Sequence, residues 1–213
     1  MTIDGQLLVF PGLARDPAAG ELALNTSGPG GAYFSNFVIR PGVDPGFRGG
    51  VGAPAVEPEA GTVSEWRISA AFPEAEVDGV TELSGATRSG QSWTRLSTDV
   101  RGIANLARLG GVRDGDNTVF AAVTLTSDRA QTVRVRLGFS DRVRAFLNGT
   151  QLFRAGDEFA SRDYRFLSTM GLYDELFLQL EAGDNELWLA ISETFGRWGV
   201  TLQVPEGQGV RLR

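Results

Sequence analysis

The sequence predicts an all-β chain: an antiparallel β-sandwich of the jelly-roll kind, with additional strands at its N-terminal end. Three observations predict it. Val133, Val135, Leu137 and Phe139 alternate with Arg134 and Arg136, the period of two expected of a strand with one buried face. Val143, Ala145 and Leu147 alternate with Arg142 and Arg144, and Asn148-Gly149 then separates that run from Gln151-Leu152-Phe153. Asn-Gly between two such runs marks a type I′ hairpin, because both central residues need positive φ. From Asn117 onward, short strand-like runs and turn signals recur about every ten residues, the rhythm of a sandwich.

Taken in order, Gln6–Phe10, Glu21–Leu24 and Ala32–Ile39 read as strands, the last rich in aromatic and β-branched residues. From Arg40 to Gly61 Gly and Pro dominate, as in a linker or long surface loop. These shifts divide the chain into an N-terminal strand segment (1–42), a Gly/Pro-rich linker (43–64), a main domain (65–205) and a C-terminal tail (206–213). In the main domain Glu65–Ser69 opens with a strand, and Thr81–Thr94 reads as a long loop. The Ser97–Gly111 stretch is open between a short helix capped by Asp99 and an irregular edge. Asn117–Thr126 alternates cleanly as a strand. After the hairpin, Arg154–Tyr173 reads as a second long loop. Leu176–Leu180 and Glu186–Ile191 read as antiparallel strands about the turn Glu181–Asn185. Trp198–Val204 closes the sandwich.

Composition narrows the chemistry. The 213 residues carry a formal net charge of −6, which argues against a nucleic-acid binder or an anionic-membrane binder, since both need a basic footprint. No run approaches the roughly 20 apolar residues of a membrane helix, and Met1-Thr2-Ile3-Asp4-Gly5 lacks the basic start and apolar core of a leader. All 20 basic residues are arginine. Coding bias accounts for that, and so does selection for planar, bidentate recognition of anions or hydroxyls. The chain has no Cys and no His, which removes disulfides, thiol nucleophiles, Cys/His zinc sites and Ser-His-Asp arrangements. A metal would need oxygen ligands, with calcium first. A conventional enzyme is disfavoured.

The runs LGFSDRVRAFLNG, LFLQLEAGDNELWLAIS and FGRWGVTLQV resemble the galactose-binding-like jelly rolls, the sugar-binding-type modules found beside many glycoside hydrolases. The likeness covers residues 66–204 and is best from Asn117 onward. Its most specific parts are the turns Asn148-Gly149 and Ala182-Gly183-Asp184-Asn185, which mark a fold rather than a site. Gly31–Phe37 is similar to the closing strands of laminin-G or concanavalin-like sandwiches. The resemblance implies non-catalytic binding of carbohydrate or another extracellular ligand, often a structural calcium, and a secreted or envelope location. Many such modules are spacers, since fold does not give function. The expected partners are therefore a glycan or a larger protein assembly, homo-oligomers included.

Sugars need flat aromatic faces beside planar polar groups. Trp66 and Trp198 read as core and Trp188 as packed under a loop. Trp93, in the polar stretch Arg88–Arg95, is expected to be the exposed tryptophan and with Arg95 forms the first candidate site. Arg162, Asp163 and Tyr164 offer a donor, an acceptor and a stacking ring. Their alternative is a solvated loop whose ion pair contributes at most about 1 kcal/mol. Arg197, on the turn before Trp198, is able to join either loop. For calcium, Asp157 with Glu158 and Asp114 with Asp116 are the oxygen-rich clusters, though the second lacks the later Glu of a calcium loop and suits a plain turn. The 26 acidic residues guarantee chance carboxylate pairs, so a glycoside hydrolase is a minor alternative without a motif. The leading expectation is a non-catalytic glycan-binding module with a loop-end site, followed by a structural or assembly module.

Overall fold

The computed structural model describes residues 2–3, 6–7, 57–110, 115–158, 170–194, 196 and 198–213. Two compact units divide the chain, Met1–Ala55 and Val56–Arg213. In the first, β1 (Thr2–Ile3) pairs antiparallel with β2 (Gln6–Leu7). The strands expected at Glu21–Leu24 and Ala32–Ile39 lie outside the described residues.

The second unit is a two-sheet antiparallel sandwich, as the alternation predicts. Its strands are β3 (Glu65–Ile68), β4 (Thr94–Ser97), β5 (Ala104–Asn105), β6 (Thr118–Ser127), β7 (Gln131–Ser140), β8 (Arg142–Leu147), β9 (Thr150–Gly156), β10 (Asp174–Leu180), β11 (Gly183–Ser192), β12 (Gly199–Gln203) and β13 (Val210–Leu212). A small sheet has the order β10-β7-β12-β5 and a large one the order β4-β3-β6-β11-β8-β9, with β13 added to β6. From β6 onward, each connection except the β8–β9 hairpin crosses from one sheet to the other. This corrects one expectation. Leu176–Leu180 and Glu186–Ile191 are consecutive but not paired: β10 joins β7 in the small sheet, while β11 lies between β6 and β8 in the large one.

Local chemistry explains the turns. Asn148 and Gly149 have φ of 52° and 96°, the left-handed pair that the hairpin demands. The Asn148 side chain accepts from the Glu186 N–H at 2.9 Å and donates to Asn185 Oδ1 at 3.0 Å. Asn185 is fully buried and donates to the carbonyls of Glu181 and Gly183. The two turns that carry the family resemblance are thus hydrogen-bonded to each other.

Trp66, Ile68, Leu125, Val135, Leu137, Leu178, Leu189, Trp198 and Leu202 fill the space between the sheets. Other segments depart from the expectations. Ser97–Gly111 holds β5 and a 3-10 turn, Leu106–Leu109, capped by Asn105 rather than Asp99. The Thr81–Thr94 stretch carries a short helix, α1 (Gly85–Ser89), capped by Ser84. Val63 is buried and Thr62 bridges Gln203, so the end of the expected linker packs on the sandwich. The expected C-terminal tail holds β13, whose Val210 lies opposite Ser127. Among the described residues no helix is long and apolar enough to cross a membrane.

Candidate functional site

The outer face of the small sheet carries a concavity of about 220 Å³. Strand parity builds its floor. Val135 and Leu137 point into the core, so Arg136 and Gly138 point out, and the register places Gln203 opposite Arg136 and Thr201 opposite Gly138. Residues 57–62 form one wall and Arg101 with Ile103 another, while Met170, Gly171 and Leu172 lie across the floor. Two glycines permit that last approach. A Cβ at Gly138 would stand 2.0 Å from the Gly171 carbonyl oxygen, and one at Gly199 would stand 2.8 Å from Met170 Cε.

Arg136 organises the concavity. It donates to Glu59 Oε2 at 2.7 Å, to Gln203 Oε1 at 3.1 Å and to the Leu172 carbonyl at 3.4 Å. Gln203 donates in turn to Glu59 Oε2 and to the Ala60 carbonyl, both at 3.0 Å. On the other wall Arg101 donates to Asp99 Oδ2 at 2.7 Å. Burial alone would raise the Asp99 carboxyl, but the bonds from Arg101 and from the backbone N–H of Ile103 and Arg101 outweigh it and hold it below its ordinary value. The lining sets the Arg136–Glu59 pair, Arg101 with its partner Asp99, and Glu57 beside the apolar surfaces of Pro58, Ile103 and Met170. Such a surface suits a small neutral molecule with hydroxyl edges and an apolar face.

The candidates expected from sequence fall elsewhere. Trp93 is the least buried of the four tryptophans, but it is half-buried on the large sheet's outer face. Its ring meets Trp188 edge-on at 4.8 Å, and the Arg67 guanidinium lies 5.2 Å from its centre. Arg95 pairs across the strands with Arg67, and its head donates to Glu65 at 2.6 Å. Trp93 and Arg95 therefore share one patch, on the opposite sheet from the concavity. Arg162, Asp163, Tyr164, Arg197 and Asp114 lie outside the described residues.

The described part of the loop end is an ion-pair network. Arg142 donates to both carboxylate oxygens of Glu74, at 2.7 Å for the shortest bond, and also to Glu158 and Thr194. The Arg142 bond holds the Glu74 carboxyl below its ordinary value of 4.5. Glu158, the neighbour of Asp157, is thus engaged by Arg142. Asp116 lies two residues before β6. Among the described residues no three acidic side chains converge to hold a metal ion.

Sequence reasoning missed the concavity. Its one available signal was the outward parity of Arg136, which pattern alone does not connect to Glu59, Ile103 or Thr201.

No protein-family model and no curated protein matches the chain. Among solved structures, the chain is similar to a family 35 carbohydrate-binding module from an environmental isolate, at 16% identity and TM-score 0.33, covering 46% of this chain and 72% of that one. It is also similar to a β-glucuronidase from Ruminococcus gnavus in complex with an N1-substituted uronic isofagomine, at 9% identity and TM-score 0.41. That match covers 68% of this chain and 30% of the glucuronidase, so the chain spans less than a third of that enzyme's length.

Proposed function

We propose that the Val56–Arg213 unit is a non-catalytic module that binds a neutral carbohydrate in the concavity on the small sheet. The observation that carries this reading is the lining itself. Arg136 is balanced by Glu59 and Arg101 by Asp99, and with Glu57 they make a surface dense in donors and acceptors, backed by Pro58, Ile103 and Met170. A pyranose presents hydroxyls at its edge and C–H groups on its faces, and this surface complements both. The concavity is smaller than the roughly 300–1,000 Å³ of drug-sized sites, which suits one sugar ring at a time. The sequence resemblance to sugar-binding-type jelly rolls points the same way. A hydrolase is the poorer reading, because Glu59 is tied to Arg136 and Gln203 and no motif sets one carboxylate pair above the others.

The test is calorimetric titration against a broad glycan panel, with calcium or with EDTA. The comparison is between wild type, Arg136→Ala, Arg101→Ala and Trp93→Ala, each checked for an unchanged thermal melt. Binding lost in the two arginine variants and kept in Trp93→Ala supports the concavity. Loss in Trp93→Ala alone moves the site to the large sheet. A wild type silent to every glycan removes the reading. A second reading, an assembly module, rests on β10, which pairs only with β7 among the described residues. Sedimentation showing a stable oligomer would favour it.

A further inference from the structure

The most exposed large apolar side chain among the described residues is Phe177, at 64%, and it lies on the same face as the concavity. Parity puts it there. Leu176 and Leu178 are buried in the core, so Glu175, Phe177 and Gln179 point outward with Arg134 and Arg136. The register sets Glu175 opposite Arg136 and Phe177 opposite Arg134. One strand over and two residues along, Phe177 stands about 8 Å from Arg136 at the backbone.

The polar groups around the ring are already engaged. Arg134 pairs with Glu175 at 3.4 Å, and Thr132 donates to Gln179 at 3.0 Å. Gln208 closes the adjoining backbone, accepting from the Arg134 N–H and donating to the Arg134 carbonyl, both at 2.9 Å. What remains is a flat apolar ring in a neutral polar surround, joined to the concavity along the strand by Glu175, whose register partner is Arg136.

We propose that the ligand is a glycan chain, with one ring in the concavity and a following ring stacked on Phe177. This inference rests on the carbohydrate reading. It specifies a polymer or oligosaccharide rather than a free monosaccharide. Binding energy is then shared between a polar pocket, which selects the ring, and an aromatic platform, which counts the rings.

The test is titration of mono- to hexasaccharide series of cello-, xylo-, manno- and chito-oligosaccharides into wild type, Phe177→Ala and Phe177→Trp. In wild type, affinity for the bound series rises with length by about tenfold, the scale of one aromatic stacking contact. Phe177→Ala removes that rise and leaves the monosaccharide affinity unchanged, while Phe177→Trp keeps it. Affinity independent of length in wild type overturns the proposal, and so does an equal loss at every length in Phe177→Ala. Sedimentation of the same proteins separates the competing occupant: if Phe177→Ala dissociates a dimer and leaves the titrations unchanged, the ring belongs to an interface between copies. Silence of wild type toward every series and length sinks the carbohydrate reading itself, a result distinct from these.

Discussion

The two sheets turn outward in opposite ways. On the large sheet Phe120, Phe146 and Trp188 point away from the sandwich core, yet they are buried, because residues 72–93 fold over them. Phe72, Val77, Val80, Leu83 and Trp93 pack there as a second apolar cluster. Backbone bonds pin the cover. Phe72 pairs with Thr118 at one end, and the Leu83 N–H donates to the Gly149 carbonyl at 2.8 Å near the other. On the small sheet, among the described residues, the outer face is polar, carries one exposed phenylalanine and surrounds a concavity. The difference teaches that aromatic density alone does not mark an exposed aromatic face, since these rings are covered by the chain's own residues. The large sheet's outer face, which also carries Arg67, Arg95, Arg142 and Arg144, consumes its rings in its own stability, while the small sheet's outer face holds the concavity proposed for a ligand.

The comparison breaks most sharply at Trp188. Trp188→Ala empties the second cluster and is expected to cost about 3–5 kcal/mol in denaturant unfolding, the range for large core aromatics. Glycan affinity, measured on folded protein, should stay constant; a matching loss of affinity would couple the two faces. Arg136→Ala should do the reverse, weakening glycan binding by roughly 1.5–3 kcal/mol, the scale of hydrogen bonds to a charged group, with a much smaller change in melting. Gly138→Ala acts on both, since its methyl would strike the Gly171 carbonyl. About 1–3 kcal/mol of stability should go, together with the shape of the pocket wall.

A smaller effect is a pH dependence at the loop end. Arg142 holds the folded Glu74 carboxyl below 4.5, so folding favours the carboxylate. The corresponding stability is present at neutral pH and lost as pH falls from about 4.5 through the lower folded value. Glu74→Gln should flatten part of that slope in urea titrations, with the part due to Asp99 remaining. The smallest effect belongs to Arg95, whose side chain is 80% exposed in its pair with Glu65. Arg95→Ala should change stability by less than about 1 kcal/mol.

Local pattern made much of the sandwich legible. The parity of β6, β7 and β8 and the Asn148-Gly149 turn follow from residues within a few positions of one another. Trp66 and Trp198 also read correctly as core, and Trp188 as packed under a cover. Which sheet a strand joins did not follow. Leu176–Leu180 and Glu186–Ile191 look like hairpin partners because a short turn links them, yet that turn passes between sheets. The concavity was illegible for the same reason. Glu59, Ile103, Arg136 and Thr201 meet only because their segments are neighbours in space.

One strand carries a consequence for how the domain forms. β6 is bordered by β11 along one edge, and along the other by β3 and then β13. Its neighbours thus come from the beginning, the later part and the close of the unit, and closing such large loops costs entropy before any pairing compensates it. Refolding is expected on the slow side for a domain of this size, in the milliseconds-to-seconds range of proteins dominated by non-local pairing. Until β3 and β13 arrive, one edge of the most central strand stands open, so that interval is when the chain is most exposed to mispairing with its own copies.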